Sequence, residues 1–234
     1  RFENNSHRYT GMMLINPFVF AHAIAIPAST KILMPFTTTS SFADVANNHA
    51  ITVVGSPTIS TAQSKFGAGS LRVSSGNYLR INSTSTLDMS GKKPFTFECW
   101  VYLTSGHPSV GGILSMRSIS VYCPLVVKES TTYIGNGSLN NWSFLSSSGV
   151  VGRNTWSHIA LVFDGTKVRL YVNGNGTFEN PTISNQPHPS WPVGDRFLNV
   201  GYDSDGVTDG YINDLRISDV AVYTANFTPP TSPF

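Results

Sequence analysis

Residues Trp156 to Gly174 read WSHIALVFDGTKVRLYVNG, two short apolar runs separated by Asp164-Gly165. Asp-Gly between alternating apolar runs is a strong short-range signal for a tight reversal between antiparallel strands. In the second run Val168, Leu170 and Val172 face one way, while Lys167, Arg169, Tyr171 and Asn173 face the other, which predicts a half-buried strand. In the first run Ile159, Leu161 and Phe163 share a face, but Ala160 and Val162 make the opposite face apolar too. A strand that is apolar on both sides sits deep in a sheet. Burying the six larger side chains is worth roughly 1.5–3 kcal/mol each before entropy is charged. The hairpin is therefore expected to be core.

The rest of the chain has the composition of an all-β protein. Its 234 residues suit one β domain with an appendage, and only 12% are charged, so many polar turns must come from Ser, Thr, Asn and Gly. A formal net charge of +2, with no cluster of Lys or Arg, gives no electrostatic footprint for nucleic acid. Met12 to Ile26 is apolar, but Asn16, Pro17 and His22 interrupt it well short of the ~20 residues that a spanning helix needs. No membrane partner is expected. Cys99 alternates with Phe95, Phe97 and Val101, which suits a small buried thiol; a bridge to Cys123 is the other reading.

Residues 1–30 differ in character from the remainder, beginning polar and turning apolar, and are set apart as an N-terminal arm from a domain at 31–234. An apolar arm outside a complete sandwich needs a covering surface, either its own domain or a neighbour. Lys31 to Phe36 is predicted as the first strand, and Ile51 to Ser60 is broken by Gly55-Ser56-Pro57. Short strands at Ser70 to Val73 and Tyr78 to Ile81 precede a long alternating one, Phe95 to Leu103. Four more come before the central hairpin. The proline-bearing region from Asn173 to Asp195 is expected on the surface, and Phe197 to Tyr202 and Gly210 to Ile217 close the sheets. The predicted architecture is two antiparallel sheets packed as a jelly roll.

The central hairpin also resembles that of LamG-like jelly-roll domains in the concanavalin A-like lectin/glucanase superfamily. Phe66-Gly67-Ala68-Gly69-Ser70-Leu71 with Tyr78-Leu79, Pro94 to Val101, and Gly210 to Ser218 resemble the family's other strands in the expected order. Met13 to Phe20 resembles the short leader that precedes such domains in bacteriophage structural proteins. The resemblance implies a β-sandwich and a virion structural protein, on a capsid or tail, held to virion proteins or to copies of itself by the arm. Glycan recognition on a cell surface is a compatible role, and a free lectin-like module or a glycoside hydrolase are the alternatives. The implied location is the particle surface.

Hydrolysis of a glycosidic bond needs two carboxylates flanking it. The superfamily's glucanases carry them two residues apart on one strand, and none of Glu3, Glu98, Glu129 and Glu179 has an acidic residue two positions on. The chain is therefore expected not to be an enzyme. His158 is a tempting base, but its place in the central strand suits packing better. No His-x-His or His-x-x-x-His spacing suggests zinc. Asp214 matches a closing-strand Asp that helps hold structural Ca²⁺ in several superfamily members, with Asp44 on the turn after the first strand as its implied companion. Alternatively, Asp214 caps a turn or pairs with Arg216. For a glycan, the useful groups are aromatics beside planar polar side chains. Trp142, and Tyr202 with Asp203 and Asp205, are the ligand-binding candidates.

Overall fold

A computed structural model describes residues 25–37, 42–82, 93–118, 121–128, 131–136, 143–180, 197–203 and 206–234. Residues 1–24, most of the predicted arm, lie outside the described residues, and so do Trp142 and Asp205. No helix occurs among the described residues. The strands are β1 (Thr30–Met34), β2 (Ile51–Val54), β3 (Thr58–Ser60), β4 (Ser70–Val73), β5 (Tyr78–Asn82) and β6 (Phe95–Leu103). Next come β7 (Val110–Ser118), β8 (Val121–Lys128), β9 (Thr131–Asn136), β10 (Ser143–Val150), β11 (Trp156–Phe163) and β12 (Val168–Val172). The chain closes with β13 (Asn175–Asn180), β14 (Phe197–Val200), β15 (Tyr202–Asp203), β16 (Gly206–Val207) and β17 (Gly210–Ser218).

They form an all-β sandwich of two sheets, almost wholly antiparallel. Sheet A runs β13-β12-β11-β6-β17-β4-β3, with β1 also on β17; sheet B runs β10-β9-β8-β7-β14-β5-β2. The short β15–β16 pair rests on β7 through one parallel contact. Residues of alternate parity on β6, β11 and β12 meet the inner residues of β5 and β14, so Phe97, Leu161, Leu170, Leu79 and Leu198 share one core. Phe95 packs 4.9 Å from Phe97 and 5.7 Å from Phe163. Cys99 is a free thiol in that core, on sheet A, whereas the Cys123 position lies on sheet B.

Gly55-Ser56-Pro57 does more than interrupt a strand. It sends β2 to sheet B and β3 to sheet A. The reversal after β11 is longer than its Asp-Gly pair predicts: Phe163 faces Val168, leaving four residues, 164–167, in the turn. Asp164 sets this length, because its Oδ1 accepts the Thr166 and Lys167 amides at 2.8 Å each and its Oδ2 meets Arg169 at 2.6 Å. Gly165 supplies the positive φ of 96°.

The closing strand β17 changes neighbours part-way. Gly210, Tyr211 and Ile212 pair with β4, while Leu215 to Ser218 pair with β1, with a register break against β6 between Asn213 and Arg216. Asp214 takes φ 55° at this break. Asn213 fills the gap beside it, accepting the Phe66 amide at 2.8 Å and donating to the Pro35 carbonyl at 2.6 Å.

Leu161 is 1% exposed at the middle of this core. Leu161→Ala is expected to destabilise the domain by about 2–5 kcal/mol, measured by denaturant unfolding. An unchanged midpoint would contradict the register.

Candidate functional site

The outer face of sheet A is closed over its centre. Glu98 points outward from β6, yet it is fully buried. Arg216 clasps its Oε1 through Nε at 2.8 Å and Nη2 at 2.6 Å, and the Tyr223 hydroxyl donates to Oε2 at 2.8 Å. His158 Nε2 stands 3.3 Å from the same oxygen but without hydrogen-bond geometry. Tyr223 and Phe227, stacked 3.5 Å apart, lie over Ala160, Val162 and Tyr171 as part of the C-terminal strap. This strap buries Tyr171, which alternation alone would leave half-exposed. It is fastened by the Val222 amide to Thr96 Oγ1 at 2.9 Å and by the Phe227 amide to the Gly174 carbonyl at 2.9 Å. Burial pushes the Tyr223 phenol up in pKa, and the Glu98 charge adds to that. An acid and an imidazole do meet here, but neither is open to a substrate.

Asp44 is an anchor for its own turn. Its Oδ1 accepts the Leu33 and Ala46 amides at 2.9 and 3.0 Å, and its Oδ2 accepts the Asn47 and His49 amides at 3.2 Å each. His49 Nδ1 adds a contact of 2.6 Å to Oδ2. Burial alone would raise the Asp44 pKa, but the Leu33 amide, the His49 ring and the other donors together lower it. A carboxylate has about four lone-pair sites, so these donors leave none for a cation. Asp44 as it stands does not fit a calcium shared with Asp214. Asp214 differs: Oδ2 accepts the Phe234 amide at 3.1 Å, whereas the buried Oδ1 has no hydrogen-bond partner among the described residues. No group of three or more His, Cys, Asp or Glu among those residues is arranged to hold a metal.

Among the described residues, an open feature lies at one end of the sandwich. A cavity of about 570 Å³ is bounded by the turn after β4 (Ser74, Ser75), the loop after β6 and the start of β7 (Gly106, Pro108, Ser109, Val110) and the β16 segment (Gly206, Val207), with Arg72 and Asp209 on its wall. Arg72 Nη2 meets Asp209 Oδ1 at 2.5 Å, and its Nη1 donates to the Gly210 carbonyl at 3.0 Å. Gly206 is required where it stands, because a Cβ there would run into the Val110 carbonyl.

The walls are held from outside the cavity. Arg153 Nη1 reaches the Thr104, Ser105 and His107 carbonyls at 3.1, 3.1 and 2.8 Å and so pins the loop after β6. Thr208 Oγ1 donates to the Gly112 carbonyl at 2.7 Å, and His107 Nδ1 accepts the Asp209 amide at 3.2 Å. Tyr202, half-exposed, lies opposite Val207 and stacks on Tyr78 at 4.4 Å. Asp203 turns inward and is buried, taking the Ser115 hydroxyl at 2.6 Å on Oδ2. Of the sequence candidates, then, neither lines the cavity: Tyr202 pairs with its β16 wall and Asp203 braces β15 from within. Arg72, Ser74, Ser109 and Asp209 had no local signal, since only the loops' convergence makes them a site.

Residues 73–226, from the end of β4 to the strap, match the Laminin_G_3 family of the concanavalin A-like lectin/glucanases superfamily. The chain belongs to that superfamily. Among solved structures, this superfamily member is similar to the binding domain of botulinum neurotoxin serotype D, at 14% identity and TM-score 0.63 over 83% of this chain and 48% of that one. The binding domain of Paraclostridial Mosquitocidal Protein 1 is similar at 11% identity and TM-score 0.65, over 83% and 50%. Domain 4 of a GH43 extracellular arabinanase from Geobacillus stearothermophilus, solved with arabinotriose, is similar at 18% identity and TM-score 0.59, over 83% and 94%. The chain thus spans about half the length of the toxin binding domains it resembles. No curated protein matches it.

Asp214 makes a pH test possible. Burial raises its pKa to about 6; the Phe234 amide and the Arg216 charge oppose this, and the Glu98 charge adds to it. The unfolded chain releases this proton near 3.8, so between about pH 4 and 6 the folded state holds a proton that the unfolded state has lost. Stability from this group is therefore full below pH 4 and falls as pH rises to 6. Asn tolerates the positive φ. Asp214→Asn should match the parent near pH 3.5 and exceed it at pH 7 by up to about 3 kcal/mol, read by unfolding across the pH range. A difference that does not vary with pH would contradict a neutral buried carboxyl. A parent midpoint that falls on chelation, with no such fall in Asp214→Asn, would instead place Ca²⁺ on Oδ1.

Proposed function

We propose that this protein is a non-catalytic saccharide-binding module whose ligand enters the cavity at the loop end. The carrying observation is the cavity wall itself: Ser74, Ser75 and Ser109 with the Arg72–Asp209 pair, and the half-exposed Tyr202 on the strand paired with the β16 wall. A sugar offers hydroxyls to such planar polar groups and an apolar face to a ring. The loop after β6 and the β16 segment are pinned by Arg153 and Thr208, so little ordering cost of those walls falls on binding. The superfamily's lectins and the arabinotriose-bound arabinanase domain favour a saccharide over other polar ligands. The closure of Glu98 and His158 beneath Tyr223 supports a binding role rather than hydrolysis.

In this reading the module is displayed on a bacteriophage particle, capsid or tail, through the segment before β1. The leader resemblance of Met13 to Phe20 supports that placement, with cell-surface glycan as the ligand. The Asp219 amide reaches the Ser29 carbonyl at 2.9 Å, which ties the residues just before β1 to the end of β17.

A glycan array on the isolated protein tests the binding role, with Asp209→Ala as the control. The Arg72–Asp209 pair is partly exposed and contributes no more than about 1 kcal/mol to stability. Asp209→Ala should therefore keep its melting midpoint within a few degrees while losing roughly tenfold or more in affinity. Undiminished binding by Asp209→Ala would move the site elsewhere, and release of reducing sugar would overturn the non-catalytic reading.

A further inference from the structure

One residue on each of five neighbouring strands falls in a single row across the outer face of sheet A. Thr58 on β3 pairs with Arg72 on β4, Arg72 with Tyr211 on β17, Tyr211 with Tyr102 on β6, and Tyr102 with Trp156 on β11. The ring centres of Tyr211 and Tyr102 lie 5.8 Å apart, and those of Tyr102 and Trp156 lie 5.6 Å apart. These spacings arise from adjacent strands about 4.7–4.9 Å apart. All three rings are half-exposed, whereas Trp100 and His158, two positions along the same strands, are buried.

Arg72 joins this row to the cavity. Its guanidinium lies 5.1 Å from the Tyr211 ring centre and meets Asp209 on the cavity wall at 2.5 Å. Cross-strand aromatic pairs stabilise a sheet by themselves. That stabilisation requires neither partial exposure of three consecutive rings nor alignment with a polar cavity. The rings are inclined to one another by 60° and 79°, so the row presents faces, edges and two phenol hydroxyls. Such a mixed surface suits a sugar chain, whose repeat is comparable with the strand spacing. Asp209 neutralises the Arg72 charge, so nothing in the row selects a polyanion.

We propose that the row extends the cavity's saccharide site, so that a linear, uncharged oligosaccharide of at least three residues seats one end in the cavity and lies across Tyr211, Tyr102 and Trp156. This rests on the cavity reading above. The test is calorimetric titration with ladders of arabino-, cello- and chito-oligosaccharides from one to six residues. For any ladder that binds, affinity should rise at least about fivefold from disaccharide to tetrasaccharide and then level off. Trp156→Ala should lose that gain while keeping disaccharide affinity, Trp156→Phe should keep part of it, and Asp209→Ala should weaken every length. The unaltered protein's ladder decides the matter even if Trp156→Ala folds poorly. Disaccharide binding with a flat length series overturns the row and leaves the cavity standing; absence of binding by every ladder overturns both.

Discussion

Glu98 is a carboxylate on the most enclosed strand of the fold. Strand β6 is flanked by β11 and β17, its inner face lies in the core, and its outer face is covered at Glu98. An unpaired charge there would cost several kcal/mol, so its partners must arrive from elsewhere in the chain. Arg216 arrives because the irregularity at Asn213–Asp214 brings it into register with Glu98. Tyr223 arrives because the strap returns over β11 and β12. The break in β17, the path of the C-terminal segment and the stacked Tyr223–Phe227 pair are thus parts of one requirement, which is to satisfy a buried carboxylate.

That requirement divides the outer face of sheet A by function. Where the strap lies, acid, imidazole and phenol are packed together and shut from solvent. Past Trp100 on β6 and His158 on β11 the cover ends, and Tyr102 and Trp156 emerge beside Tyr211. The loops beyond them are held apart as a cavity by contacts that do not face it, those of Arg153, Thr208 and His107. In this member of a superfamily that includes glucanases, Glu98 and His158 are buried beneath the strap. In the proposed site, the groups that would meet a ligand are hydroxyls, an ion pair and rings.

Much of the fold was legible because strand periodicity is local. The alternation from Phe95 to Leu103 names β6 to the residue, and the two-sided apolarity of Ile159 to Phe163 correctly places β11 deep in the sheet. Local pattern fails where a distant segment intervenes. Tyr171 reads as half-exposed until Phe227 lies over it, and Asp164 lengthens a turn that Asp-Gly alone would make tight. Asp44 looks like a cation ligand in isolation; its saturation by Leu33 and His49 depends on how the turn packs against β1. The cavity was the least legible feature, since Arg72, Ser109 and Asp209 belong to three segments joined only by topology. Tyr202 carried a signal, as an aromatic beside acidic residues, but it lies on the strand paired with the cavity's β16 wall rather than on the wall itself.

The central claim is that the strap end of sheet A is closed and the loop end is the ligand surface. Backbone amide chemical shifts followed during saccharide titration test it most directly. The largest changes are expected at Arg72 to Ser75, Gly106 to Val110 and Gly206 to Tyr211, with Glu98, His158 and Tyr223 unmoved. Changes concentrated at Glu98, His158 and Tyr223 instead would contradict it, because a ligand could reach them only by displacing the strap.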